Sequence, residues 1–222
     1  MVYLSTDNGN TWSSFSFFST SYVCRFIAIN PENGDIFAGT SDNLYRSTNN
    51  GNDWVYVLNS VPNDILFTQF GEIYLGVGGI YGGVRYSTDM GSTWINKNSG
   101  LPDSYIYCLL QGTDGTLYAG TSGRGIYRST NGGNNWMISS NYRNTMIGRL
   151  IIASDGSIFV AAYADGILKS TDKGITWNQV NTGLSSGYNA QKIIYNPRTG
   201  YIFVSGANSN YGVYRSTDLG TK

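Results

Sequence analysis

STDKGITW, Ser170–Trp177, is the stretch whose reading decides the fold, because it recurs along the chain. STDNGNTW (Ser5–Trp12), STNNGNDW (Ser47–Trp54), STDMGSTW (Ser87–Trp94) and STNGGNNW (Ser129–Trp136) repeat it, and STDLGTK opens a sixth copy at Ser216. Successive opening serines are 42, 40, 42, 41 and 46 residues apart. A period near 40 residues marks an array of equal supersecondary units, each burying its faces against the next. The 222 residues therefore read as one quasi-symmetric domain (1–222), long enough for a substantial core.

The segments between copies supply strands. In the third repeat Tyr105–Gln111 is a nearly continuous apolar run, expected as a strand buried on both faces. Thr113-Asp114-Gly115 turns it into Leu117–Thr121, and Ser122–Gly125 turns that into Ile126–Ser129. The octapeptide then leads to a fourth strand around Trp136–Ser139. The other repeats follow suit, with first strands expected at Val23–Ile29, Ile65–Phe70, Met146–Ala153 and Ala190–Tyr195. No segment carries a 3.6-residue period. Four short antiparallel strands every 40–50 residues are the sequence form of a β-propeller blade. The expectation is all-β, with about five blades at 22–59, 63–97, 104–140, 145–181 and 188–217. Residues 1–18 are possible closing strands for the last, and residues 2–5 and 213–216 compete for its third-strand position. The redundancy reads as a segment of a longer array.

Composition narrows the partners. Fourteen basic and fourteen acidic side chains cancel, so no net field draws nucleic acid or an anionic membrane. No run approaches the ~18 apolar residues of a membrane helix. Cys24 and Cys108 occupy corresponding positions two repeats apart, too far for a disulfide, and read as small buried hydrophobes. Few charges and many Ser, Thr, Asn, Gly and Tyr suit an extracellular, surface or periplasmic protein, although the N-terminus runs straight into the first repeat without a signal peptide. The oligomeric state is not legible.

Within the octapeptide each residue answers a local need. The Ser at position one and Asp or Asn at position three accept backbone N–H groups and hold a turn. The Gly at position five permits a positive φ. The Trp at position eight buries a large face and offers its indole N–H to a carbonyl. These residues resemble the Asp-box, or bacterial neuraminidase repeat, S/T-x-D-x-G-x-x-W, with Asn49 and Asn131 departing from the usual Asp. The resemblance implies a propeller with the box between third and fourth strands, a folding element on the face away from any active site. Its structural set here is Asp7, Asn49, Asp89, Asn131, Asp172 and Asp218 with Trp12, Trp54, Trp94, Trp136 and Trp177. The family includes sialidases, xyloglucan-cleaving glycosidases, sortilin-type receptors and a photosystem assembly factor. One box acid per blade is spread round a ring, so a shared metal ion is not expected, and neither is a cofactor.

Catalytic constellations are thin. The chain has no His, and no phosphate or dinucleotide loop. Arg46, Arg128 and Arg215 precede the box in the same slot that Lys169 and Leu4 fill elsewhere, which reads as a solvated strand face. Arg25, Arg149 and Lys192 lie in first strands and approach the channel. A two-carboxylate glycosidase would draw on Asp42, Asp64, Asp103 and Asp165, all expected in top-face loops, where Asp more often forms turns. The top-face connections vary from blade to blade and carry the candidate ligand-binding residues Tyr81, Arg124, Tyr163, Asp165, Tyr188 and Tyr211. Aromatic and Arg side chains on a rigid ring anchor sugars or peptides. The reading is a non-catalytic binding or scaffold module of an exported bacterial protein, with a carbohydrate or protein ligand. A sialidase-like or xyloglucanase-like glycoside hydrolase and an assembly factor gripping a protein partner are the alternatives.

Overall fold

A computed structural model describes residues 2–15, 23–102, 105–139, 141–207 and 212–221. The described residues form 21 strands and no helix. β1 (Val2–Leu4) and β2 (Ser13–Phe15) pair with each other. Four sheets of four antiparallel strands follow. They are β3 (Cys24–Ile29), β4 (Ile36–Thr40), β5 (Asn43–Ser47) and β6 (Val55–Asn59); then β7 (Val61–Phe67), β8 (Ile73–Gly78), β9 (Gly83–Ser87) and β10 (Ile95–Asn96). The third holds β11 (Ile106–Gln111), β12 (Leu117–Thr121), β13 (Ile126–Ser129) and β14 (Met137–Ile138). The fourth holds β15 (Ile147–Ile152), β16 (Ile158–Ala162), β17 (Gly166–Ser170) and β18 (Asn178–Gln179). A fifth sheet has three strands, β19 (Ala190–Asn196), β20 (Tyr201–Gly206) and β21 (Val213–Ser216).

Each sheet is a meander in chain order, because its turns are short and its strands too brief to reach elsewhere. The inner strands β3, β7, β11, β15 and β19 pack side by side in series. Of the two competitors for the third-strand position of the fifth sheet, β21 occupies it, and β1–β2 adds no strand there. Trp12–Phe18 was expected as one strand; Ser13–Phe15 forms it, and Phe17 and Phe18 lie outside the described residues.

In the four four-stranded sheets the strand buried on both faces is the second, not the first, while β20 of the fifth sheet is only half-buried. Leu117–Thr121 is buried at every residue, whereas β11 leaves Tyr107 exposed and β3 alternates along its length. The reason is positional: a second strand is sandwiched between neighbouring sheets, while an inner strand turns one face to the central space. Close approach at the seams selects small residues. A Cβ on Gly120 would stand 2.5 Å from Ile147 Cγ2 of the next sheet.

There is no single core. Four apolar clusters lie one per seam: Phe37, Leu44 and Leu75 between sheets one and two; Tyr74, Ile106 and Trp136 between two and three. Tyr118, Ile147 and Trp177 fill the seam between three and four, and Phe159, Ile193 and Tyr188 that between four and five. Stability is thus close to a sum of nearest-neighbour interfaces.

The octapeptide clips these seams together. In STDKGITW the Ser170 hydroxyl donates to Asp172 Oδ1 (2.8 Å) and accepts the Gly174 N–H (2.8 Å), while the Thr176 N–H donates to Asp172 Oδ1 (2.9 Å). In the three full copies with Asp at position three, position seven is Thr, whose hydroxyl donates to the second carboxylate oxygen, as Thr176 does at 2.6 Å. Where position three is Asn49, position seven is Asp53, and the polarity reverses: Asn49 Nδ2 donates to Asp53 Oδ2 at 2.8 Å. At Asn49 the lost charge is thus replaced four residues later, whereas Asn131 is followed by neutral Asn135. Position four is also left-handed, with Lys173 at φ 59° beside Gly174 at 73°, which sequence did not suggest for a non-glycine. The preceding sheet grips the turn, since the Tyr118 hydroxyl donates to the Lys173 carbonyl at 2.9 Å.

The tryptophans do not all play the expected role. Trp136 and Trp177 are 2% and 3% exposed, and their indole N–H groups reach back to Lys97 O (2.8 Å) and Ser139 O (2.7 Å) of the preceding sheet. Trp54 and Trp94 are half-buried and donate to Gly51 O and Gly91 O of their own turns. Trp12 is 63% exposed, because no described sheet lies against that turn as sheet three does against Trp177. Cys24 and Cys108 are unlinked; Cys108 is buried as expected, whereas Cys24 is only half-buried on the first inner strand.

Candidate functional site

Every inner strand breaks register near its start. The shifts fall between Cys24 and Phe26, Pro62 and Asp64, Ile106 and Cys108, Ile147 and Arg149, and Ala190 and Lys192. One residue is left over in each: Arg25, Asn63, Tyr107, Gly148 and Gln191. A bulge re-aims the side chains beside it. Five in register turn a ring of polar groups towards one end of the inner strands. Gly148 is required in that ring, since a Cβ there would meet Gln191 O at 2.2 Å.

The ring is hydrogen-bonded across sheets. Arg25 Nη1 donates to Asn63 Oδ1 (2.5 Å), and Asn63 Nδ2 donates to the Ile106 carbonyl (3.0 Å). Asp64 Oδ2 accepts the Leu109 N–H (2.8 Å), and Asp64 Oδ1 lies 3.4 Å from Arg149 Nη1. Burial pushes the Asp64 carboxyl above its ordinary pKa, outweighing the opposing pull of Arg149, the backbone donors and Lys192. Burial likewise raises the Cys108 thiol beyond the range where a thiolate forms near neutral pH, so it is not a nucleophile. Arg25, Arg149 and Lys192 are exposed, and Tyr105 stacks on Tyr107 at 6.3 Å alongside them. Arg149 and Lys192 act on Asp64, whose oxygens already have partners, and Arg25 stands in the same ring on Asn63.

The candidates taken from sequence are scattered by comparison. Asp64 is on β7 rather than in a loop, because the strand begins earlier than expected, at Val61. Asp42 caps the β4–β5 turn, its carbonyl accepting the Ser60 N–H (3.0 Å). Asp165 is half-buried in the β16–β17 turn, its carbonyl taken by Asn181 Nδ2 (2.8 Å). Tyr81, Arg124 and Tyr163 are exposed on separate turns. Tyr188 is no surface residue: it is 3% exposed, edge-on to Tyr214 at 5.1 Å, in the last seam. Tyr211 and Asp103 lie outside the described residues. The slot before the octapeptide is a solvated face at Arg215, which is exposed, but half-buried at Arg46, Arg128 and Lys169. Arg46 forms an ion pair with Asp35, and Lys169 and Arg215 lie over the rings of Phe159 and Tyr201 at 5.1 and 5.3 Å. The bulge residues Asn63 and Gln191 were missed. A polar Asn-Asp pair inside an otherwise apolar first strand, VPNDILF, is the signal that points to them.

Solved structures sharing this arrangement settle its architecture. A GH74 enzyme of Niastella koreensis superposes with TM-score 0.72 over 89% of this chain at 19% identity. The fold is a β-propeller. YCF48 bound to a D1 peptide gives 0.70 over 95% of the chain at 20% identity, and 69% of that protein is covered. The extracellular domain of a one-component system from B. thetaiotaomicron gives 0.71 over 87% at 14% identity, with 27% of that protein covered. This propeller chain spans 37% of the length of the Niastella enzyme. A family described as two component regulator propeller matches residues 100–123, the turn into β11 and the first hairpin of the third blade. No curated protein matches the chain in sequence.

Proposed function

We propose that the propeller is a non-catalytic binding module whose ligand sits on the bulged ring of the inner strands. The observation that carries this is the excess of cation there: Arg25, Arg149 and Lys192 against Asp64, itself already bonded to Leu109 and Arg149. Exposed cations on a rigid concave ring, with stacked Tyr105 and Tyr107 beside them, favour a protein ligand presenting acidic side chains. The peptide held by YCF48 on the same fold supports a protein ligand, and the extracellular domain with this fold supports an exported protein. Hydrolysis is the weaker reading, because Asp42, Asp64 and Asp165 belong to three different sheets and no hydrogen bond joins them among the described residues. A peptide and glycan array probed with the purified chain tests this, run beside sialoside and β-glucan hydrolysis assays. Acidic peptides should be retained and no sugar released. Turnover abolished by Asp42→Asn, Asp64→Asn or Asp165→Asn would replace the binding reading with a glycoside hydrolase.

A further inference from the structure

Third strands of the blades carry one inversion. They read Leu44-Tyr45-Arg46-Ser47, Ile126-Tyr127-Arg128-Ser129, Ile167-Leu168-Lys169-Ser170 and Val213-Tyr214-Arg215-Ser216, but the second blade reads Val84-Arg85-Tyr86-Ser87. Side chains alternate across a strand, so exchanging the two residues moves the cation to the opposite face. In the first blade Arg46 Nε donates to Asp35, the residue before β4, at 2.7 Å. In the second blade the residue before β8 is Glu72, and the Tyr86 hydroxyl takes it at 2.6 Å. Lys97 covers the Tyr86 ring at 4.7 Å, so that face is complete without an arginine.

Arg85 has gone to the other side, into the seam between the first and second blades. It stands opposite Leu75 of β8, which is fully buried with Phe37 and Leu44 of the first blade. Its Nη2 donates to the Tyr81 carbonyl (2.8 Å), whereas its Nη1 is buried with no acceptor among the described residues. Ser60 Oγ, on the connection from the first blade to the second, is buried and unbonded in the same way. No ion pair joins Arg85 to an acid among the described residues, and burial lowers its pKa. Donors withdrawn from water without acceptors are costly, most of all on a charged group. At three of the four other blades the slot holds Tyr, which would avoid that cost.

The covering segment is Gly78-Gly79-Ile80-Tyr81-Gly82-Gly83. Ile80 and Tyr81 are 91% and 83% exposed, and the Gly82 N–H to Gly79 carbonyl bond (3.0 Å) closes the turn. Four glycines and two unpacked side chains let it lift at small cost. We propose that this seam binds a carboxylate, with Arg85 as the cation and the 78–83 turn, whose Tyr81 carbonyl Arg85 already holds, as the cover. A guanidinium presents parallel N–H groups that match both oxygens of a carboxylate. With Lys97 on the opposite face, a single cation suits a monoanion better than a phosphate dianion. The cover starts at Gly78, beside Tyr105 and Asn63 of the bulged ring, whereas Arg85 itself lies on β9 in the seam.

Thermal unfolding of the full chain tests the proposal, with acetate exchanged mole for mole for chloride, and with acetyl-Ala-Asp-Ala-amide against its Asn counterpart. At a tenfold excess over the midpoint concentration, Tm should rise by about 3–6 °C. A response to acetate alone assigns the site to a small free acid; a response to the Asp peptide as well assigns it to an acidic side chain. Arg85→Tyr restores the residue of three other blades, so it should fold and lose the shift, and Arg85→Lys should retain only part of it. Arg215→Gln, on the third strand of the fifth blade and outside the ring, should keep it whole. An equal shift in Arg85→Tyr, or none in the unaltered chain, overturns the proposal.

Discussion

Replacing Trp177 with alanine asks most of the seam architecture. The indole is 3% exposed, packs in the cluster holding Cys108, Tyr118 and Ile147, and donates to the Ser139 carbonyl at 2.7 Å. Truncating a buried Trp costs about 3–5 kcal/mol through lost transfer and the cavity left behind. The orphaned carbonyl adds roughly 1 kcal/mol. Against a total stability of about 5–15 kcal/mol, that is a large fraction, and at this chain length it lowers Tm by about 10 °C or more. Urea unfolding followed by circular dichroism gives the difference from the midpoint at constant m-value. Trp12→Ala is the internal control: the same sequence position, 63% exposed, should change stability by less than about 0.5 kcal/mol. Trp94→Ala, half-buried and bonded within its own turn, should fall between them. A loss below about 1 kcal/mol at Trp177, or equal losses at Trp177 and Trp12, would refute the claim that this position works by bridging neighbouring blades.

Three further outcomes follow from the same geometry. Gly174→Ala should destabilise by at least about 2 kcal/mol, because its φ is 73° and the new Cβ would stand 2.7 Å from Tyr118 Cε1; a thermal melt within 1 °C of the parent would contradict it. Asp7, Asp89 and Asp172 have carboxyls lowered to about 2, chiefly by the hydroxyl of the Thr four residues on. A depressed folded pKa contributes stability above the unfolded value of about 3.9 that is lost as pH falls towards 2. Replacing the three acids with Asn should therefore flatten the acid limb of a Tm-versus-pH curve, and an unchanged limb would count against it. Thiol titration in native buffer should label Cys24 before Cys108, with Cys108 reacting only on unfolding; equal rates would sink the assignment of Cys108 to the seam.

The fold was largely legible because STDKGITW and its copies fix the period, and Leu117–Thr121 falls where the sequence places it. Misreadings arose where chain periodicity is silent about neighbours. YIYCLLQ looks doubly buried, yet only an adjoining sheet decides whether a strand is sandwiched, and that role belongs to LYAGT. Tyr188 looks like a surface anchor at a strand start, but it is drawn into the last seam by Tyr214. The bulged ring leaves almost no imprint, since a bulge adds one residue without changing hydrophobic pattern. Asp64 therefore reads as a loop acid, whereas its strand begins at Val61. The Arg85–Tyr86 inversion is written plainly in the sequence, but its meaning depends on which face adjoins another blade.

The central claim is that the octapeptide builds the propeller and the bulged ring binds. Affinity of one acidic peptide, read by fluorescence anisotropy, tests it most directly in the doubly neutralised Arg149→Gln, Lys192→Gln chain and in Asp172→Ala. Removal of the two ring cations should weaken binding at least tenfold at constant salt, about 1.4 kcal/mol, with Tm nearly unchanged. Asp172→Ala should lower Tm and leave the affinity of the folded protein intact. Unchanged affinity in the doubly neutralised chain, or its loss in folded Asp172→Ala, would contradict the account.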